Sequence, residues 1–303
     1  MNSYHTPVLL EESLDALAVK PDGIYVDCTF GGGGHSRGIL SRLGRHGMLV
    51  AFDQDGDAAA NLPDDDRIIF IRSNFRFLRS QLRARSIDSV DGILADLGVS
   101  SHHFDDPSRG FSFRFDSPLD MRMNDRASLS AEDVAMNYDH EALTRILRDY
   151  GELQSPHKIA AEIISFRETR RIATTGDLME AVKRFTPKRD ETKFLAKLFQ
   201  AVRIEVNREM EALKMMLQQS VKVLSTDGRL AVITYHSLED RLVKNFIRSG
   251  NFDGVVRRDI YGNASCPTEA VGKPVTPSEE EIERNGRSRS ARLRVARKRA
   301  DNE

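Results

Sequence analysis

Short, continuous apolar runs alternate with amphipathic stretches through the first hundred residues. "GIYVDCTF" (23–30) predicts a strand, and "SRGILSRLG" (36–44) predicts the helix after it, with Ser36 as its N-cap. "GMLVAFDQD" (47–55) predicts a second strand, followed by a helix from about Asp57. "RIIFIRSNF" (67–75) predicts a third strand with "FRFLRSQLRARS" (75–86) as its helix, and "SVDGILADLG" (89–98) predicts a fourth. These strands do not alternate apolar with polar residues, which is the pattern of a parallel sheet covered on both faces. Strand–helix alternation with short connections implies an α/β fold with a doubly wound sheet.

The rhythm breaks after Asp96. Residues 98–125 are rich in turn formers and aromatics, and from about Ser128 to Val206 helical periodicities follow one another with no strand pattern. The pattern predicts a mainly helical domain (105–206) inserted into a sheet domain made of 1–104 and 207–303. A long helix over about 207–224 leads back to a fifth buried strand, "GRLAVITYHS" (228–237). "DGVVRRD" (253–259) and "ARLRVARK" (291–298) are candidates for two edge strands. In the second, Leu293 and Val295 alternate with Arg292 and Arg294, so one strand can bury one face and present a basic one.

Composition narrows the class. With 303 residues, 30% of them charged and 40% hydrophobic, the chain is of globular type and long enough for two compact units. No apolar run reaches a membrane span and the N-terminus lacks the basic-then-apolar order of a signal peptide, so no membrane association is expected. Cys28 and Cys266 stand far apart without metal-ligand neighbours and read as free thiols of a reducing compartment, the cytoplasm. No metal is expected. The net charge of −1 excludes a protein that holds nucleic acid by total charge, yet residues 287–299 carry seven basic residues and no acidic one.

The candidate chemistry begins at "DCTFGGGGHS" (27–36). Four glycines between a first strand and a helix let the backbone approach a ligand, and the helix N-terminus offers N–H groups to an anion. A dinucleotide fingerprint would need glycine at position 36 or 37, where Ser36 and Arg37 stand, and no Gly-Lys-Ser/Thr follows for a P-loop. Asp53 ends the second strand, where an acid can accept both ribose hydroxyls; its bland role would be a helix cap. Phe75 follows the third strand where an adenine would lie, although a lone aromatic there can equally be core. With Asp27 and Asp96, these features point to S-adenosylmethionine.

"HTPVLLEE" (5–12), "DCTFGGGGHS", "DLGVSS" (96–101), "RGFSF" and "PLDMRM" (109–123), "FQAVRIEVN" (199–207) and "HSLEDRLVK" (236–244) occur in that order. Together they resemble the MraW family, bacterial S-adenosylmethionine-dependent methyltransferases of ribosomal RNA, over nearly the whole chain. The resemblance implies a Rossmann-like class I methyltransferase sheet with an inserted all-helical domain. It implies methylation of the exocyclic N4 amine of a cytidine in the decoding region of small-subunit ribosomal RNA, with the small subunit and its RNA as partners. A homodimer is left open. Carried over position by position, cofactor contacts fall on Gly33, Gly34, His35, Asp53, Phe75 and Asp96. His103 stands where many members have glutamine, and it keeps a hydrogen-bond donor there.

Transfer from a sulfonium is an in-line displacement, and the cytidine amine is a poor nucleophile because its lone pair is delocalised into the ring. Acceptors aimed at its N–H groups would draw the nitrogen toward tetrahedral geometry and receive the departing proton. Asp96 and His236, at the ends of the fourth and fifth strands, are the catalytic candidates. Asp96 could instead serve the cofactor alone, and His236 could simply cap the helix of "SLEDR". "RGFSFRF" (109–115) mixes arginine and phenylalanine in the manner of base-stacking loops, its bland alternative being core packing. Arg167, Arg170, Arg171, Lys183 and Arg184 add basic groups in the insert. A nicotinamide-dependent oxidoreductase fails on the glycine spacing, and a non-catalytic RNA-binding module would not need an intact glycine loop and second-strand acid.

Overall fold

The structure, a computed structural model, describes residues 7–98, 106–258, 262 and 266–300. The chain divides into two compact units, Met1–Gly98 with Met210–Glu303, and Val99–Glu209.

The first unit is built on a seven-stranded sheet of order β3-β2-β1-β4-β5-β7-β6. Its strands are β1 (Ile24–Asp27), β2 (Met48–Asp53), β3 (Ile68–Arg72), β4 (Val90–Asp96), β5 (Leu224–Thr234), β6 (Thr268–Ala270) and β7 (Arg292–Lys298). The first five pair in parallel and β7 is antiparallel to both neighbours. This is a doubly wound α/β sheet with one antiparallel strand near its edge, and the helical unit is inserted between β4 and β5.

Successive residues of each strand point to opposite faces, and in β1, β2, β4 and most of β5 both faces are buried. Val26, Val50, Phe52, Ile93 and Val232 pack with Leu78 and Leu82 of α3 (Leu78–Arg83), and with Leu213, Met216 and Leu217 of the helix Glu209–Val223. Tyr25, Leu49, Leu94, Ala231 and Ile233 pack with Leu14 and Leu17 of α1 (Leu10–Leu17), and with Ile39 and Leu40 of α2 (Gly34–Arg42). Neither face of these strands meets water, hence the uninterrupted apolar runs.

Three expectations change. Ser36 does not cap α2. The helix starts at Gly34 from a left-handed Gly33, and the Ser36 hydroxyl donates to buried Asp27 instead. Residues Asp57–Asn61 form a 3₁₀ turn where a helix was expected, since Pro63 forces Leu62 into an extended conformation. The segment 253–258 forms no strand of the sheet, and the edge is β6. The Asn251 side chain bonds both the Gly254 N–H and the Val255 carbonyl, folding that stretch into a turn around Gly254 at φ 74°.

The second unit consists of helices α4 (Ala131–Asn137), α5 (His140–Asp149), α6 (Pro156–Thr169), α7 (Thr175–Val182) and α8 (Glu191–Asn207) around their own apolar core. Ser130 and Thr174 close capping boxes with Asp133 and Asp177, which sets two of the starts.

Candidate functional site

The carboxyl ends of β1, β2 and β4 each finish on an aspartate: Asp27, Asp53 and Asp96. In a parallel sheet that edge is where connecting loops and helix N-termini gather.

Asp27 is buried, accepting the Ser36 hydroxyl at 2.7 Å and the Thr29 N–H at 3.0 Å. Burial pushes its carboxyl up from the ordinary range, against the charge of His35 and these hydrogen bonds. Its role is to fix the start of the glycine loop, with both oxygens engaged.

Asp53 Oδ2 accepts the Gly31 N–H at 2.8 Å and Oδ1 accepts the Asp55 N–H at 2.9 Å. Asp53 therefore ties down the loop from the end of β2, which places its carboxylate beside the glycine backbone. Gly33 adopts φ 73°, and a Cβ there would stand 2.8 Å from the Phe30 ring. A Cβ on Gly34 would stand 2.1 Å from Pro7, while one on Gly32 would meet nothing within 4 Å. Thus Gly33 and Gly34 are required by the fold, and Gly32 leaves open space in front of the loop. A cofactor with a ribose, an anionic end and a sulfonium fits this set: an acid for hydroxyls, glycine backbone for close approach, and the unpaired N–H groups opening α2.

The sequence-predicted His35 is buried, and its Nε2 donates to the Val8 carbonyl at 3.1 Å. Its Nδ1 lies 3.9 Å from Asp96 Oδ2, beyond hydrogen-bond distance. The imidazole therefore anchors the N-terminal segment over the loop, and the part of His35 available to a ligand is its backbone N–H. Phe75 opens a 3₁₀ turn after β3 and is half-buried against the core beneath α3. Asn74 Nδ2 donates to Gln54 Oε1 at 2.7 Å, tying that turn to the residue after Asp53. His103 lies outside the described residues.

Asp96 and His236 sit at the ends of neighbouring strands, with Leu97 N–H bonded to the Ile233 carbonyl at 2.9 Å. Asp96 Oδ1 accepts the Gly98 N–H at 3.1 Å, and the Asp96 N–H donates to Thr29 Oγ1 at 2.8 Å. His236 is the N-cap of the helix Ser237–Ser249 and closes a capping box with Glu239. Glu239 Oε2 accepts the Tyr235 N–H at 2.9 Å, and His236 Nε2 lies 3.2 Å from Glu239 Oε1. The capping alternative for His236 is therefore its observed structural role.

Sequence reasoning missed Tyr235. Its hydroxyl is near enough to Asp96 to feel that carboxylate's charge, and its ring lies so close to Gly98 that a Cβ there would stand 2.9 Å away. Burial and the charges of Asp96, Glu239 and Glu281 push the phenol well above its ordinary value, so it stays a neutral donor. The available signal was an aromatic with a polar tip ending the apolar run "LAVIT".

The predicted RNA-contacting groups of the second unit are largely engaged within it. Phe111 is buried, Phe113 packs edge-on to Phe199 at 5.4 Å, and Phe115 remains exposed. Arg167 donates to the carbonyls of Ala135 and Tyr138, and Arg170, Arg171, Lys183 and Arg184 pair with Asp177, Glu132, Glu180 and Glu162. Among the described residues no helix is long and apolar enough to cross a membrane.

The sequence profile of the MraW methylase family matches residues 2–299. The chain is 58% identical to a "Ribosomal RNA small subunit methyltransferase H" of Parabacteroides distasonis, over 97% of each chain. It is 56% identical to a protein of the same name from Bacteroides fragilis over 98% of each. A third, from Flavobacterium psychrophilum, is 52% identical over 96% of this chain and all of its own.

Proposed function

The chain belongs to the MraW methylase family, and from that premise we propose that it transfers a methyl group from S-adenosylmethionine to the exocyclic N4 amine of a cytidine in the decoding region of small-subunit ribosomal RNA. The observation that carries the reading is the glycine loop bracketed by Asp27, Asp53 and Asp96 at the carboxyl edge of the sheet, in a chain that matches the family from end to end.

The cofactor, when bound, supplies an electrophilic methyl on a positively charged sulfur. Asp53 would hold the ribose hydroxyls, the N–H groups of Gly34 and His35 the carboxylate end, and Phe75 the adenine, with His103 reading the same cofactor. Asp96 would take the N–H of the incoming amine, drawing its lone pair out of conjugation, and accept the proton as the new bond forms. Tyr235 keeps the Asp96 carboxylate oriented while remaining protonated itself. His236 would complete the wall of this pocket from the adjacent strand end, and its catalytic share is tested by His236→Asn, which retains a capping side chain. The target base must be unpaired or extruded to reach the pocket.

The test is transfer of a labelled methyl from S-adenosylmethionine to small ribosomal subunits from cells lacking this protein, followed by nucleoside analysis. Label in N4-methylated cytidine, absent with Asp53→Ala, is the expected result. Label in another nucleoside, or none despite cofactor binding, would overturn the substrate assignment.

A further inference from the structure

Residues 73–87 contain four arginines, Arg76, Arg79, Arg83 and Arg85, and no acidic residue, although the chain as a whole has 46 acidic residues to 45 basic ones. The stretch forms the 3₁₀ turn Phe75–Phe77 and then α3, whose Leu78 and Leu82 are buried. Arg76, Arg79 and Arg83 follow one another at spacings of three and four residues, which lines them along one edge of the helix beside that apolar face. Arg79, Arg83 and Arg85 are exposed. Among the described residues none of the four has a carboxylate at ion-pair distance, and Arg85 turns back onto Gln81.

The surface is also rigid and carries an aromatic ring. Arg76 Cζ stands 4.7 Å over the Phe77 ring, and Phe77 as a residue is 41% exposed. Gln219 clamps the turn from both sides, its Nε2 donating to the Arg76 carbonyl at 2.6 Å and its Oε1 accepting the Arg79 N–H at 2.9 Å. The Asn74–Gln54 bond fixes the same turn to the residue after Asp53. The exposed Phe77 ring is open to a stacking partner, and guanidinium groups without carboxylate partners attract phosphate, whose oxygens fit their planar fork. Arginine beside an open ring is the combination that takes a sugar–phosphate chain with a stacked base.

We propose that Arg79 and Arg83, with the Arg76–Phe77 pair, form a landing surface for ribosomal RNA next to the cofactor site. The arginines hold phosphates and Phe77 takes an unpaired base. This rests on the reading of the chain as a ribosomal RNA methyltransferase.

The test is binding of the full-length protein to protein-free small-subunit ribosomal RNA across a range of salt, for wild type, Arg79→Gln/Arg83→Gln and Phe77→Ala. S-adenosylmethionine affinity is measured alongside. Removing two phosphate contacts is expected to weaken binding about tenfold and flatten the logarithmic salt slope by about 1.5 to 2. Phe77→Ala is expected to weaken binding about fivefold or more with the slope unchanged. Cofactor affinity stays at the wild-type value in both variants. Wild-type RNA affinity and salt slope in the double variant would overturn the proposal, as would a defect seen only with intact subunits, which would point to a ribosomal protein as the occupant. A wild-type protein that binds RNA but methylates no cytidine would instead sink the functional reading and leave this surface standing or falling on its own binding data.

Discussion

Two edges of the same sheet use carboxylates in opposite ways. At the carboxyl edge, Asp27, Asp53 and Asp96 are held by backbone N–H groups, and Asp27 also by the Ser36 hydroxyl. At the antiparallel edge, Asp240 accepts Arg294 at 2.7 Å and Arg292 at 3.0 Å, while Glu269 and Asp227 take Arg297. An acid paired with arginine gives its charge and its lone pairs to the fold, whereas backbone N–H groups fix where a carboxylate stands without neutralising it. The same comparison sorts the arginines. The strand that looked most basic in sequence is substantially neutralised by acids from elsewhere in the chain, and the quieter stretch 73–87 is not.

Replacing acids on the two edges should therefore give different kinds of loss. The largest effect is expected at the carboxyl edge. Asp53→Ala removes the group meant for the ribose and unties Gly31, and is expected to weaken S-adenosylmethionine binding about a hundredfold by calorimetry. Asp240→Ala is expected to leave that affinity unchanged and to cost about 2 kcal/mol in urea denaturation, because Arg294 loses its partner in a half-buried place. Burial pushes the Asp240 carboxyl up, but Arg294 and Arg292 outweigh it and hold the group below the ordinary 3.8. A depressed folded-state value means this stabilisation is present above the unfolded pKa and is lost as pH falls through the folded one. Wild type and Asp240→Ala should accordingly converge in stability below about pH 4.

A smaller effect is expected from Tyr235→Phe. Without its hydroxyl the Asp96 carboxylate is less well oriented, and methyl transfer should fall about tenfold at saturating cofactor with melting temperature nearly unchanged. In an Asp96→Asn background the same substitution should change little, whereas a merely structural Tyr235 would subtract equally from both. Smallest of all is the stability change from Arg79→Gln/Arg83→Gln, expected within about 0.5 kcal/mol since no ion pair is broken. A loss as large as that of Asp240→Ala would erase the contrast between the two arginine stretches.

Strands β1, β2, β4 and β5 were legible because both their faces are buried, so burial wrote itself into contiguous residues, and β3 was legible from its own apolar run although it is only partly covered. The glycine loop and the strand-end acids were legible for the same reason, their positions being fixed by the strands. What sequence did not carry was pairing over distance. Leu293 and Arg292 announce β7, but Asp240 and Glu269, which claim its arginines, lie some 25 to 55 residues away. The edge strand was expected at 253–259 from its valines, and the Asn251 side chain decides otherwise by closing a turn. Ser36 has the right chemistry for an N-cap, and only the fold shows that buried Asp27 claims its hydroxyl. Tyr235 contributes through its tip and not its ring, a role that an apolar run conceals.

The most direct measurement is a single-turnover methyl transfer to small ribosomal subunits, with wild type and Asp96→Asn each loaded to saturation with labelled S-adenosylmethionine. If Asp96 draws out the amine lone pair and receives its proton, the variant transfers at least about a hundredfold more slowly while still fully loaded. Transfer at the wild-type rate would contradict the mechanism and leave Asp96 a cofactor contact only.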